Sequence, residues 1–304
     1  MFALCLLSMT CSAGTSAGGP GNLGHRSAWA ELDGLRVHYL DYGQGEAALV
    51  FIHGWACDSS FWRLQEPVFS DGHRVLLVDL PGHGQSDKPE IVYTQALFAR
   101  SIQAVLDNAG VTSAVLIGHS MGFSVARRHA LDHPGRCAAL VSVDGTMLRV
   151  PRDPTRLDVW RAEYQAFVDR FRVTDYQRAA EAYIRFMFAD ATPEGLRREI
   201  TAKMLATPRH VALSALANIG DPSIWPETVF NKPTLAALAR QSWYRADDES
   251  YMRRLFPRLE YQAWTDVGHF LMMDRPDRFN RTLLKFLASI GQHGRAGGHG
   301  SGGA

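Results

Sequence analysis

The stretch that decides the fold is LIGHSMGFSV, residues 116–125. An apolar run ends at Gly118, and helix-favouring residues resume after Gly122. Ser120 lies between these two glycines, where the predicted strand changes into a predicted helix. The spacing is that of the G-x-S-x-G nucleophile elbow, in which a serine on a sharp, strained turn presents its hydroxyl oxygen to solvent. The stretch therefore predicts a nucleophilic Ser120 at one edge of a sheet.

On both sides of this stretch, short apolar runs alternate with helix-like segments. Seven runs predict strands: LRVHYLDYG, AALVFIHG, HRVLLVDLPG, SAVLIGHS, CAALVSVDG, KPTLAALA and LEYQAWTDVGH. The middle five are nearly continuous in apolar residues, as strands buried on both faces are. TQALFARSIQAVLDNAG has its apolar residues at helical spacing instead, and it ends at Gly110. This alternation predicts an α/β fold with a doubly wound, mostly parallel sheet.

Residues 147–231 interrupt the alternation, because they contain helix-like segments and no buried-type strand. We predict that this region is a helical cap inserted between two strands of a core formed by residues 29–146 and 232–290. Most of its large side chains should pack within the cap, and two or three should face an apolar pocket. These side chains are Trp160, Tyr164, Phe167, Phe171, Tyr183, Phe186, Met187 and Phe188.

The composition excludes several classes of function. Of 304 residues, 46% are hydrophobic, which is enough for a sizeable core. With 32 basic and 31 acidic residues the formal charge is +1, so the chain has no global field to hold nucleic acid or an anionic membrane. Cysteines and histidines show no metal-ligand spacing, and we predict no metal, no cofactor and no disulfide framework. No segment is long and apolar enough to span a bilayer.

The two ends of the chain differ from this core. Residues 1–28 combine a short apolar run with small residues but have no Lys or Arg before Arg26, so they make a poor secretory signal. We expect a flexible N-terminal segment and a cytoplasmic protein, with export through a weak leader as the alternative. Residues 291–304 are rich in glycine and predict a flexible tail.

A serine hydroxyl is a weak nucleophile at neutral pH and needs a base beside it. His269 follows the last predicted strand and precedes the last long helix, so it should emerge at the same sheet edge as Ser120. Two backbone N–H groups, those of Trp55 and Met121, are placed to hold a developing oxyanion. His119 is next to the serine but should point away from it. We nevertheless include it, with Phe186 and Phe270, among the candidate pocket residues.

Four segments, HGWACDSSFW, VDLPGHGQSDKP, GHSMG and GHFLMMDRPDRFN, together resemble the sequential landmarks of the α/β-hydrolase fold superfamily, in its esterase and lipase-like branch. The resemblance covers about residues 31–290. It implies a Ser-acid-His triad that contains Ser120 and His269. A serine at the nucleophile position argues against the family's dehalogenases and epoxide hydrolases, which carry aspartate there.

The third triad member is where the sequence departs from the family pattern. Many relatives place the acid after the strand that follows the cap, but this chain has Arg240, Gln241 and Ser242 there. A second location in the superfamily is the end of the strand after the nucleophile helix, where this chain has Asp144. We therefore predict Asp144 as the acid, with Asp247 and the absence of a working acid as alternatives.

These residues predict hydrolysis of a carboxylic ester through an acyl-enzyme. The apolar cap favours a small hydrophobic ester or a lactone as the substrate. Carbon-carbon bond hydrolysis and perhydrolysis would use the same serine, and they stay open. A ligand receptor with slow or absent turnover is the alternative from another class, and the sequence leaves the oligomeric state open.

Overall fold

One mixed sheet of eight strands organises the computed structural model, which describes residues 25–145, 147–173, 175–240 and 245–296. The spatial order is β1-β2-β4-β3-β5-β6-β7-β8. The strands are β1 Arg26–Leu32, β2 Leu35–Tyr42, β3 Ala47–Ile52, β4 Val75–Val78, β5 Ser113–His119, β6 Cys137–Val143, β7 Thr234–Ala239 and β8 Leu259–Trp264.

Helices connect the strands and cover the sheet. They are α1 Glu66–Phe69, α2 Gln95–Asn108, α3 Met121–Asp132, α4 Pro154–Asp169, α5 Tyr176–Phe186, α6 Glu194–Leu205, α7 Arg209–Ile219, α8 Asp248–Leu255, α9 Leu271–Asp274 and α10 Pro276–Ala296. Two short 3-10 helices, Ser59–Trp62 and Pro222–Ile224, add to these.

The pairing of the strands confirms the predicted α/β fold. β1 and β2 are antiparallel to each other and β2 is antiparallel to β4, whereas β3 to β8 pair in parallel. All residues of β4 and β7 are buried, as expected for strands that are covered on both faces. Because parallel strands share a direction, the residues that follow β3, β5, β6, β7 and β8 meet at one edge.

The first strand is absent from the sequence prediction. Arg26–Leu32 pairs with Leu35–Tyr42 in a hairpin, and its first residues fall within the stretch 1–28 that we expected to be flexible. The turn consists of Asp33 and Gly34, both with positive φ, at +52° and +81°. An Asp-Gly pair between two runs of alternating polar and apolar residues is a strong hairpin signal. The hairpin of β1 and β2 could therefore have been predicted from the local sequence.

The insertion, residues 147–231, contributes four helices, α4 to α7, between β6 and β7. Aspartates start two of them, since the side chain of Asp153 accepts the Arg156 N–H and that of Asp175 accepts the Arg178 N–H. The helix-like segments predicted in this region, LDVWRAEYQAFVDRFRV, DYQRAAEAYIRFMFADA and TPEGLRREITAKMLA, do not include α7. The described part of the insertion contains no strand, and its division from the core stays a prediction.

The C-terminal boundary also differs from the prediction. α10 continues to Ala296, past residue 291 where we placed the start of the flexible tail. The leader and the glycine-rich end, residues 1–24 and 297–304, lie outside the described residues. Within the described ranges, no helix has both the length and the apolar character needed to cross a membrane.

Candidate active site

Ser120 occupies a strained turn between β5 and α3. Its φ and ψ are 52° and −118°, and its N–H donates to the carbonyl of Val143 at 3.0 Å. The flanking glycines permit this turn because a Cβ on Gly118 would lie 2.4 Å from the backbone of Gly122. A Cβ on Gly122 would lie 2.4 Å from the carbonyl oxygen of Ile52. The helix thus passes close to two strands, and only glycine allows both approaches.

Asp144 directly follows β6 and also has a positive φ, 44°. Its Oδ2 lies 2.5 Å from Nδ1 of His269, and its Oδ1 accepts the N–H of Ala239 at 2.8 Å. Its own N–H donates to the carbonyl of Ala237 at 2.8 Å. The carboxylate is 7% exposed, so strand β7 and the imidazole together hold it in one orientation.

The loop of His269 is held by three hydrogen bonds to its backbone. The N–H of His269 donates to the carbonyl of Met187 in the insertion at 2.8 Å, and its carbonyl oxygen lies 3.0 Å from Nε2 of His119. The N–H of the preceding Gly268 donates to Oδ2 of Asp274 at 2.7 Å. The position of the imidazole therefore depends on the nucleophile turn, the insertion and α9.

Asp274 extends these contacts into the insertion. Its Oδ1 accepts the hydroxyl of Thr192 at 2.9 Å, while its Oδ2 holds the N–H of Gly268. No sequence motif marked Asp274, because a carboxylate at the end of a short helix is ordinarily a surface group. Its role follows only from the approach of residue 192 in space.

Two of the three candidate pocket residues lie outside the cavity that contains Ser120. His119 and Phe270 are each 1% exposed, and their ring centroids lie 5.3 Å apart with the rings tilted by 45°. Burial, and then the neighbouring His269, lower the pKa of His119 well below its usual value, so its Nε2 acts as an N–H donor. Phe186 is 58% exposed and does line the cavity.

Asp247, the alternative acid, lies elsewhere. Its carboxylate accepts a hydrogen bond from Arg149 at 2.5 Å, which lowers its pKa, and Arg149 also pairs with Asp248 at 2.6 Å. The Asp247 side chain is 67% exposed. The structure thus brings Asp144, and not Asp247, to His269. Gln241 and Ser242, at the family's usual acid position, lie outside the described residues.

Ser120 and His269 open into the same apolar cavity of about 280 Å³. Its other lining residues are Trp55, Leu148, Tyr164, Phe167, Tyr183, Phe186, Met187, Leu216 and Ile219. Several of the aromatic residues are predicted pocket or cap residues, whereas no sequence pattern marks Leu148, Leu216 or Ile219. None of these described lining residues is charged apart from the titratable histidine.

A second cavity, of about 360 Å³, meets the first at His269 and Leu148. It is lined by Asp144, Arg149 and Arg245 among others, and it does not include Ser120. The Arg149 guanidinium is already engaged with Asp247 and Asp248 and lies over the ring of Tyr251 at 4.6 Å. Arg149 and Arg245 therefore do not line the cavity that contains Ser120.

The backbone amides of Trp55 and Met121 border the serine turn. Met121 is the first residue of α3, and the first amides of a helix have no partner within the helix. Neither amide donates a hydrogen bond to any described residue. The helix N-terminus and these two N–H groups together form an environment that favours negative charge.

Comparison with known proteins identifies the family. A family model for the alpha/beta hydrolase fold matches residues 47–276. The chain belongs to the α/β hydrolase fold family. This confirms the resemblance inferred from the four sequence segments, and the chain is a hydrolase.

Curated relatives of this α/β hydrolase act on several bonds. A 2-hydroxy-6-oxononadienedioate/2-hydroxy-6-oxononatrienedioate hydrolase from Paraburkholderia phymatum is 30% identical over 274 residues, which cover 83% of this chain and 91% of the relative. A haloalkane dehalogenase from Psychrobacter cryohalolentis is 27% identical and covers 83% of this chain and 88% of its own length.

Solved structures place the same α/β hydrolase near esterases and a lactone-degrading enzyme. An N-acyl homoserine lactone degrading enzyme has a TM-score of 0.71 at 27% identity, covering 85% of this chain and 100% of that one. An esterase from Rhodococcus sp. ECU1013 has a TM-score of 0.71 at 26% identity, covering 88% and 99%.

Proposed function

We propose that this hydrolase cleaves uncharged, hydrophobic carboxylic esters or lactones through an acyl-enzyme on Ser120. The Ser120 oxygen attacks the carbonyl carbon while His269 takes its proton, and the amides of Trp55 and Met121 bind the oxyanion. The protonated imidazole then gives the proton to the leaving alkoxide oxygen. Water, activated by the same imidazole, releases the acid and restores the serine. Asp144 stabilises the imidazolium in both steps.

The observation that carries this proposal is the uncharged wall around Ser120. Among the described residues that line its cavity there is no Arg or Lys to pair with an anionic substrate. Its volume of about 280 Å³ is at the lower end of the range for ligand pockets. The insertion supplies most of this wall, so we propose that it acts as the cap over a short or medium acyl chain.

Carbon-carbon bond hydrolysis is the second candidate, because the relative at 30% identity is named for a dienedioate substrate. A dienedioate carries two carboxylates, and burying them requires cationic or hydrogen-bonding partners. The arginines of the neighbouring cavity do not line the cavity with Ser120. The absence of these arginines from the Ser120 cavity favours an uncharged ester over a dienedioate as the substrate.

The test compares a p-nitrophenyl ester panel with 2-hydroxy-6-oxononadienedioate. We expect multiple turnovers of short and medium acyl esters, no turnover of the dienedioate, and a loss of at least about 10⁴-fold in kcat in Ser120→Ala. Labelling with a fluorophosphonate should add one adduct to the native chain and none to Ser120→Ala. Turnover of the dienedioate alone, or stoichiometric ester binding without turnover, would contradict the ester proposal.

A further inference from the structure

Tyr183 differs from the other polar side chains that line the cavity with Ser120. The indole N–H of Trp55 donates to the carbonyl of Ala212 at 2.8 Å, and the hydroxyl of Tyr164 donates to the carbonyl of Leu216 at 2.7 Å. Both groups are therefore already satisfied by the backbone of the insertion. Among the described residues, none makes a hydrogen bond to the hydroxyl of Tyr183.

The ring of Tyr183 is fixed by three aromatic neighbours. Its centroid lies 5.8 Å from that of Trp55 and 5.4 Å from those of Phe167 and Phe171, all in edge-type contacts. Such packing leaves the side chain little freedom to turn its hydroxyl toward another protein group. The residue is half-buried, its hydroxyl oxygen keeps some accessible surface, and it lines the cavity.

A hydroxyl at an apolar wall is costly unless something in the cavity completes its hydrogen bond. Burial raises the pKa of Tyr183, so the phenol keeps its proton at ordinary pH and can donate it. The complementary group on a ligand is an uncharged acceptor oxygen, such as a ketone or amide carbonyl. The catalytic serine and histidine are committed to the scissile ester and cannot serve this second oxygen.

We infer that Tyr183 is a specificity-determining residue whose hydroxyl donates a hydrogen bond to a second, non-scissile acceptor oxygen of the substrate. This inference rests on the proposed ester hydrolysis and narrows its substrate class. The substrate is an apolar ester or lactone that carries one additional carbonyl oxygen in its acyl part or its leaving group. A purely hydrocarbon acyl chain leaves the Tyr183 hydroxyl without a partner.

The experiment compares p-nitrophenyl octanoate with its oxo derivatives, which place a ketone at successive carbons of the acyl chain. For the native enzyme, kcat/KM should be higher for at least one oxo ester than for the octanoate. Tyr183→Phe should reduce that ratio about 3- to 10-fold, the value of one neutral hydrogen bond. Tyr164→Phe is the matched control, since it removes a hydroxyl from the same wall that is already bonded to Leu216, and the ratio should stay as in the native enzyme.

Binding provides a second measurement that does not depend on turnover. In a Ser120→Ala background, the Kd ratio of methyl octanoate to the favoured methyl oxo-octanoate should fall by the same factor on Tyr183→Phe. If the native enzyme hydrolyses neither ester, the proposed function fails and this inference fails with it. If esters are hydrolysed but no oxo ester is preferred, or the preference survives Tyr183→Phe, only the assignment of Tyr183 is overturned.

Discussion

Asp144 accepts two hydrogen bonds at once, from Nδ1 of His269 and from the N–H of Ala239. An ionised carboxylate can only accept, so the hydrogen of the neutral imidazole is on Nδ1. Nε2 of the neutral imidazole is then the nitrogen without a hydrogen, which is the tautomer that the proposed general base for Ser120 requires. Asp144, at the end of β6, thus sets the tautomer of His269, which lies 125 residues later in the chain.

At this residue scale, we expect Asp144→Asn to lower kcat by about 10³- to 10⁴-fold toward a p-nitrophenyl ester. The asparagine amide can donate to Nδ1 and so favours the wrong tautomer. Steady-state kinetics, with circular dichroism to verify folding, measures the effect. Asp247→Asn is the matched control, because Asp247 is exposed and paired with Arg149, and its kcat should stay within about twofold of the native value. Comparable losses in both variants would contradict the choice of Asp144.

At the scale of elements, buried strands are the most predictable part of this fold. The strands β3 to β7 can be predicted without knowing which strands pair, because a strand covered on both faces is apolar throughout. β1 was not identified because it is largely exposed, and its signal is the Asp-Gly turn rather than hydrophobicity. The helix α7 was not among the predicted helices, although Pro208 before it and Gly220 after it are the residues that favour a helix start and end.

Asp144, the proposed triad acid, shows why part of the site is harder to predict than the fold. β6 and β7 are parallel neighbours with Val143 opposite Ala237, so the ends of both strands lie beside His269. An acid on either strand can reach the imidazole, and order along the chain does not choose between them. The contacts of Asp274 and Tyr183 are still harder to predict from the sequence, because they depend on how the insertion packs against the rest of the chain.

Asp274 supports a second prediction, about the loop of His269. Asp274→Ala removes the acceptors for the Gly268 N–H and the Thr192 hydroxyl, and the imidazole loses part of its support. We expect kcat to fall about 10- to 100-fold while KM changes by less than about threefold, because the loss is in alignment and not in binding.

Thr192→Val is the control for this prediction. It breaks only the contact between Asp274 and the insertion and leaves the Gly268 contact intact, so kcat should fall at most about threefold. An unchanged kcat in a folded Asp274→Ala enzyme would show that the loop keeps its position without this carboxylate. Equal losses in the two variants would assign the effect to the insertion alone.

At the scale of the whole molecule, buried histidines make the stability depend on pH. Burial lowers the pKa of His53 and His119, lowers that of His83 to about 3 and lowers that of His129 to about 4. In the unfolded chain these side chains bind protons near pH 6.5, whereas in the native state they stay neutral to lower pH. As the pH falls below 6.5, the unfolded state therefore binds more protons and the native state loses stability.

Between pH 6.5 and 5, each such histidine should lower the free energy of unfolding by about 1 kcal/mol per pH unit, and the slope should approach about 1.4 kcal/mol per pH unit at the acid end of this range. Urea unfolding at several pH values measures the slope. His129→Gln should make that slope shallower by about one histidine's share. The comparison is His133→Gln, because His133 lies at the C-terminal end of α3 and is more exposed. A free energy of unfolding that does not change between pH 6.5 and 5 would contradict this account.

The hydrogen bond from the His269 N–H to the carbonyl of Met187 joins the proposed base to a segment 82 residues earlier. Under the proposed mechanism, the insertion therefore helps to position the base and is not an accessory that can be exchanged freely. If the insertion were replaced by a cap from another enzyme, the new cap would have to place a backbone carbonyl where that of Met187 lies. Its side chains could differ. A recombination point between residues 187 and 269 would take these two hydrogen-bonded residues from different parents, and the contact between them could then be lost.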